Sequence, residues 1–198
     1  MLDKIERIKI DIPEQELMDL INYLGHFVSW NFVFDLERED APHFFDIIND
    51  NESVTDAGLG VMTFTSYQTD GVRPDYKLNL FGEKIFEYCK EKSNNFKIKR
   101  VSRIYWNLYS RSSVCKFHVD NPTPNKYASI LYNIHENDGG TAFTFEDKNI
   151  IIKAEKSEAV IFPSNVLHKG VGPTKNKWRF SLNIVVELED GQSSSFIQ

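Results

Sequence analysis

In Trp178-Arg-Phe-Ser-Leu-Asn-Ile-Val-Val-Glu-Leu188, Trp178, Phe180, Leu182, Ile184 and Val186 fall on one side of a two-residue repeat, and Arg179, Ser181 and Asn183 on the other. A period of two is that of a β-strand, whose successive side chains point to opposite faces. A half-exposed edge strand would alternate in the same way. This strand, however, ends a series. From Phe96 onward, β-branched and aromatic residues recur in short runs that predict strands over Phe96–Tyr109, Tyr127–Ile134, Thr141–Phe145, Asn149–Ala154, Glu158–Phe162 and Lys177–Leu188. Gly-rich turns such as Asp138-Gly139-Gly140 separate them, and no helical period of useful length intervenes. The expectation is a mainly β protein: an antiparallel sandwich or jelly roll with supporting helices.

The first half supplies the support. Asp11-Ile-Pro-Glu14 reads as an acidic helix start, Leu17, Leu20, Ile21 and Leu24 follow at helical spacing, and Gly25 is a plausible stop. Ser29–Phe34 and Val61–Tyr67 have strand composition; Glu37–Pro42, Asp46–Asp56 and Ser66–Pro74 read as polar loops. Leu78, Phe81, Ile85 and Cys89 then mark a second amphipathic helix. The expected organisation is one domain over 1–198, with a support region at 1–95, a β core at 96–188 and a low-complexity tail at 189–198.

Composition narrows the class. At 198 residues and 41% hydrophobic, the chain can bury a substantial core, and a net charge of -6 disfavours phosphate backbones and anionic lipid as partners. No signal-like leader and no run of about 20 apolar residues occurs, so the expected setting is cytoplasmic, without a membrane. Cys89 and Cys115 lack metal-binding or disulfide-framework spacing and read as free thiols.

The chemistry sits in Phe117-His118-Val119-Asp120, where a two-residue spacing on a strand puts an imidazole and a carboxylate on one face. A His-x-Asp triplet is common by chance. Its weight comes from His168, which follows the apolar strand Ala159-Val-Ile-Phe-Pro163 and precedes Lys169-Gly170. Two histidines and one carboxylate form the open facial arrangement of non-haem iron(II) oxygenases, whereas structural zinc closes four positions, usually with cysteine. Arg179, pointing into such a barrel, needs an anion, and its planar fork suits a carboxylate. His26, His43 and His135 read as surface or capping residues, and the basic run Lys97, Lys99, Arg100 and Arg103 as a solvated strand face.

Together, Phe117-His-Val-Asp120, Gly139-Gly140-Thr-Ala-Phe-Thr-Phe145, Phe162-Pro163 to His168-Lys-Gly170, and Arg179-Phe-Ser181 resemble the iron(II)/2-oxoglutarate-dependent dioxygenase superfamily. Within it the prolyl 4-hydroxylase-like branch, with its short microbial and phage-encoded members, is most similar; the resemblance spans Phe96 to Leu188. It implies a double-stranded β-helix, with His118, Asp120 and His168 as iron ligands and catalytic centre. Arg179, Ser181, Tyr132 and Tyr109 are implied at the co-substrate. O2 is the oxidant, and ascorbate is expected to help. One departure is that Arg111-Ser-Ser-Val-Cys115 stands where the family usually has a glycine before His-x-Asp, which bears on the substrate side of the pocket.

The implied reaction is hydroxylation of an unactivated C–H bond coupled to decarboxylation of 2-oxoglutarate to succinate. A prolyl residue of a protein or peptide is the first substrate implied, and a free amino acid or other small metabolite the second. Nucleic-acid demethylation is disfavoured, because Val185 stands where those relatives carry a second arginine. A non-catalytic jelly-roll module binding a metal or sugar is the reading from another class. Ser66–Pro74 and Asn121–Lys126 are candidate lids, with plain solvated loops as the ordinary alternative.

Overall fold

Trp178–Leu188 is the middle of the molecule's larger sheet. A computed structural model describes residues 5–28, 30–32, 62–68, 75–111, 113, 115–145 and 148–189. In chain order these form β1 (Glu6–Lys9), α1 (Glu14–His26), β2 (Asn31–Phe32), β3 (Met62–Gln68), α2 (Tyr76–Lys92), β4 (Ile98–Ser110) and β5 (Tyr127–Asn133). They continue with β6 (Gly140–Phe145), β7 (Lys148–Lys153), β8 (Glu158–Pro163), β9 (His168–Val171) and β10 (Trp178–Leu188). Among the described residues a seven-stranded sheet has the order β1-β8-β5-β10-β4-β3-β2, and a three-stranded sheet the order β7-β6-β9. Every pairing is antiparallel. From β4 onward the chain passes repeatedly between the sheets, which is the winding of a double-stranded β-helix.

The predicted strands stand with ends moved by one or two residues. Two strands were not legible: β1, whose Glu-Arg-Ile-Lys reads as charged surface, and β9, a Gly-bearing four-residue segment. β1 nevertheless pairs along β8, and Arg7 grips Glu158 with two hydrogen bonds of 2.9 and 2.7 Å. Helix α1 passes Gly25 and ends at His26, since a single glycine does not stop a helix whose next carbonyl is still used: Phe27 N–H bonds Tyr23 O. Helix α2 is capped by Asp75, whose carboxylate accepts from Leu78 N–H at 3.0 Å. The readings at Glu37–Pro42, His43, Asp46–Asp56 and most of the tail lie outside the described residues, while Ser66 to Gln68 belong to β3 and not to a loop.

The alternation of β10 separates two interiors. Phe180, Leu182, Ile184, Val186 and Leu188 face the helices, where Leu17, Leu20 and Leu24 of α1 and Leu78, Phe81 and Ile85 of α2 complete one core. Burying a residue of this size is worth about 1.5–3 kcal/mol. Gly82 lets α2 approach, because a Cβ there would sit 2.9 Å from Ile104 side-chain carbons. A smaller core of Leu131, Phe143, Val160 and Phe162 fills the space between the two sheets, beside the polar face of β10. None of the described helices is long and apolar enough to cross a membrane.

Ile184 lies at the centre of the helix-facing core and is fully buried. Ile184→Ala is expected to lower stability by about 2–5 kcal/mol and Ile184→Val by about 0.5–1.5 kcal/mol. Urea unfolding should show shifted midpoints with an unchanged slope; an unshifted Ile184→Ala midpoint would contradict this placement.

Candidate metal centre

His118 and His168 are brought together by the backbone. His118 N–H donates to His168 O at 2.8 Å, and His168 N–H returns the bond to His118 O at 2.9 Å, an isolated antiparallel bridge beside β9. Their rings lie 4.5 Å apart. Two residues on, Asp120 N–H donates to Ser164 O at 3.0 Å, which turns its carboxylate to the same side as His118. One ligand atom from each of His118, Asp120 and His168 can be chosen so that all lie within 4.8 Å of one another. Nε2 of His168 and of His118 stand 3.6 and 3.9 Å from the two carboxylate oxygens.

Each group is held in the state a cation needs. Nδ1 of His118 lies 3.1 Å from Lys116 O, and Nδ1 of His168 2.9 Å from Val166 O. A carbonyl accepts only, so each Nδ1 carries the proton and each Nε2 lone pair is free for a metal. Burial favours the neutral ring and lowers the basicity of His168, outweighing the opposing pull of Asp120. For Asp120, burial pushes the carboxyl up, but His168, hydrogen bonds from Ser129 and Tyr105, and His118 outweigh it and hold the group below its usual range.

Those hydrogen bonds come from residues that sequence reasoning missed. Tyr105 Oη donates to Asp120 Oδ1 at 2.6 Å, and Ser129 Oγ donates to Oδ2 at 2.5 Å. Ser164, 2.9 Å from Ser129 Oγ, is left as the donor between the two serines, and Asn183 Nδ2 donates to Tyr105 Oη. Burial, and then Asp120, push the Tyr105 phenol well above its ordinary range, so it remains a donor. Two signals were available: Tyr105 lies two strand repeats from Tyr109, and Ser129 is a small polar residue inside the apolar run Ala128-Ser-Ile-Leu131.

Along the same face of β10 lies Arg179, fully buried. Its Nη1 donates to Gly140 O at 2.5 Å and Val171 O at 3.3 Å, and its Nη2 to Asn133 Oδ1 at 3.3 Å and Thr141 Oγ1 at 3.4 Å. Nε has no partner, nor has the buried Ser181 Oγ one strand repeat away. Among the described residues no carboxylate lies within ion-pair distance of Arg179. Tyr109 spreads its ring beneath the guanidinium, 4.7 Å from Cζ. Burial, opposed by Arg179, pushes the Tyr109 phenol up to about 12. A Cβ on Gly170 would fall 2.3 Å from that ring, and one on Gly139 3.1 Å from Arg179 Cδ. Gly170 is thus a steric condition for seating Tyr109 under the arginine, and Gly139 for the close packing of Val171 O, Asn137 and Arg179, whereas Gly140 makes room for the β7 backbone, where a Cβ would fall 2.4 Å from Ile152 O.

Not every expected residue joins this group. Tyr132 faces the helices instead, 6.0 Å ring to ring from Phe81, because β5 sends its even-numbered side chains to that side. Asn133, next along the strand, is what reaches Arg179. Arg103 is not on a solvated face: its Nη2 is 4.0 Å from Asp120 Oδ1. His135 is half-buried instead of facing solvent, and its Nε2 accepts from Phe180 N–H at 3.2 Å. Cys115, whose thiol burial pushes up to about 11, lies in the electrostatic neighbourhood of Arg179 and Lys169.

The sequence matches no family model and no curated protein. Solved structures do match. A non-heme alpha-ketoglutarate-dependent carbocyclase, SnoK of nogalamycin biosynthesis, superposes with a TM-score of 0.63 at 9% identity, over 93% of this chain and 79% of that one. A prolyl hydroxylase from Trichoplax adhaerens, solved with a hypoxia-inducible-factor peptide, gives 0.59 at 13% identity over 99% and 88%. HygX from Streptomyces hygroscopicus, solved with nickel, 2-oxoglutarate and hygromycin B, gives 0.60 at 8% over 94% and 84%. These likenesses establish the fold. At such identity, chemistry has to be argued from this chain's own side chains.

His135 yields a pH prediction. Accepting from Phe180 N–H requires a neutral ring, and burial, reinforced by Arg179 and Lys156, lowers its basicity despite a bond to Glu136 O. The unfolded chain then binds this proton more readily, so stability is full above the ordinary histidine range of about 6.5 and falls as pH drops below it. Metal-free wild type is expected to lose stability between about pH 7 and 5 more steeply than His135→Gln, which keeps an acceptor. Parallel melting-temperature profiles for the two would refute the assignment.

Proposed function

We propose that this chain is an iron(II)- and 2-oxoglutarate-dependent oxygenase that hydroxylates an unactivated C–H bond. One observation carries the reading: a buried arginine without a carboxylate partner among the described residues stands on the same strand face as Asn183, 3.4 Å from the carboxylate of a His/Asp/His cluster. The Cα atoms of Arg179 and Asn183 are roughly 13 Å apart along an extended strand, a span suited to a short dicarboxylate. Arg179 Nε and Ser181 Oγ are the orphaned polar atoms such a ligand would satisfy. Three ligands on one side leave the remaining positions for a chelating keto acid and oxygen.

Iron(II) with 2-oxoglutarate supplies oxidative decarboxylation to succinate coupled to oxygen insertion. The chain's own part is arrangement. His118, Asp120 and His168 hold the cation, Tyr105 and Ser129 aim the Asp120 carboxylate, and Arg179 with Thr141, Ser181 and Tyr109 receives the distal carboxylate. Phe143 and Phe162 wall His168, with Phe162 edge-on 4.8 Å away, and keep water from the inner side of the site. A prolyl residue of a protein or peptide is the substrate suggested by resemblance and by neighbours such as the Trichoplax enzyme. A free amino acid or small metabolite is the second reading, favoured by Arg103 beside Asp120.

Two measurements test this. Wild type should bind one manganese(II) and, under iron(II), 2-oxoglutarate, oxygen and ascorbate, form succinate slowly, faster with the true substrate; His168→Ala or Asp120→Ala should bind no metal while remaining folded. Arg179→Ala should weaken 2-oxoglutarate binding in the manganese form by about 2–5 kcal/mol, and Arg179→Lys should recover part of it. Unchanged metal content in the ligand variants, or equal 2-oxoglutarate affinity by calorimetry, would overturn the respective role. No succinate above His118→Ala would leave a binding module.

A further inference from the structure

Arg103 is the one arginine, among the described residues, set beside the candidate metal ligands. It occupies the inner face of β4, on the same two-residue repeat as Tyr105, Asn107 and Tyr109. Its guanidinium stacks on the Tyr105 ring at 4.5 Å, and Nη2 stands 4.0 Å from Asp120 Oδ1. That distance is too long for a hydrogen bond. The carboxylate it approaches is already committed: Oδ1 accepts from Tyr105, and Oδ2 from Ser129 and Asn183. Nε of Arg103 is buried without a partner, while the side chain as a whole remains 36% exposed. Nε is therefore desolvated and the guanidinium is held against Tyr105 beside Asp120, while part of the side chain stays open to solvent.

Charge accounting gives this placement a direction. If the site holds a divalent cation and a dicarboxylate as proposed above, those two cancel. Asp120 and Arg179 also cancel, the histidines being neutral. Arg103 is then left as an uncompensated positive charge at the mouth, in a place where Coulomb interactions are stronger than in water. A purely structural partner for Asp120 would be expected to make a direct, bidentate contact, because the Arg fork matches a carboxylate.

We infer that Arg103 is a specificity-determining residue that binds an oxyanion of the primary substrate, a carboxylate or phosphate group, and so orients the reacting carbon over the metal. This favours the second of the two substrate readings above, a free amino acid or other small acid, over an internal prolyl residue with no charge nearby. This rests on the oxygenase reading but adds a recognition element to it.

The test uses the full-length protein loaded with manganese(II) and saturated with 2-oxoglutarate, so that Arg179 is occupied. Sodium acetate and inorganic phosphate serve as probes in separate titrations, read by paramagnetic relaxation of the acetate methyl protons or of the phosphorus nucleus. Wild type should relax at least one probe saturably, and which one responds identifies the oxyanion. Arg103→Gln should weaken that binding by about tenfold, the scale of a partly exposed charge-assisted contact. Arg103→Lys should recover part of it, and Lys169→Gln, which removes a neighbouring cation lying over Phe117, should change nothing. Water-proton relaxation in the same samples reports manganese occupancy, and melting temperatures report folding. Equal probe binding in wild type and Arg103→Gln, loss of binding in Lys169→Gln instead, or no saturable relaxation of either probe overturns the assignment to Arg103. Absence of bound manganese in wild type overturns the metal reading beneath it.

Discussion

Arg179 is a fully buried cation with no described carboxylate beside it, and removing an unpaired charge from water costs several kcal/mol. Much of the local sequence can be understood as making that tolerable. Gly139 leaves room for the arginine stem, the Gly140 carbonyl accepts from Nη1, Asn133 and Thr141 add neutral acceptors, and Tyr109 lies flat beneath the guanidinium because Gly170 has no side chain to lift it. Partial dipoles replace water here, but they do not neutralise the charge. The buried charge is left without a counter-charge among the described residues, which is the observation on which the proposed anion rests.

Asp120 shows the opposite economy. Its side chain is nearly as buried, yet both oxygens are occupied by donors from three different strands, β4, β5 and β10. Those donors fix the carboxylate's rotation and keep it ionised, so that a cation meets it ready formed. The two halves of the site are linked through β10, which carries Arg179, Ser181 and Asn183 inward while its other face, Phe180 to Leu188, is held by the helices. A shift of one residue in that strand would exchange the two faces and abolish both the core and the site.

This explains what could be read from the sequence. The period of β10, the strand series and the triad His118, Asp120 and His168 were legible because each is written in local spacing or in rare residue types. Tyr132 was misassigned because a resemblance in position says nothing of which face a strand turns, and β5 turns Asn133 inward instead. Arg103 was lost in a basic run whose other members do lie outside; the strand period puts it on the face of Tyr105, but only the contact of both with Asp120 shows that this face is the inner one. β1 stayed hidden because an edge strand of alternating charges carries its information in its partner, β8. Ser129 and Ser164 meet across 35 positions of sequence, a contact that no local pattern encodes.

The three candidate ligands differ sharply in access. The side chains of Asp120 and His168 are 2% and 5% exposed, whereas His118 is 51% exposed. An ion reaching the site from solvent would meet the outer imidazole before the two buried ligands, and on leaving would pass it last. His118 is thus the ligand through which solvent would reach a bound ion, while the inner pair is shielded. A molecule settled over the mouth would shield His118 without touching the inner pair, and would so couple retention of the ion to occupancy of the site.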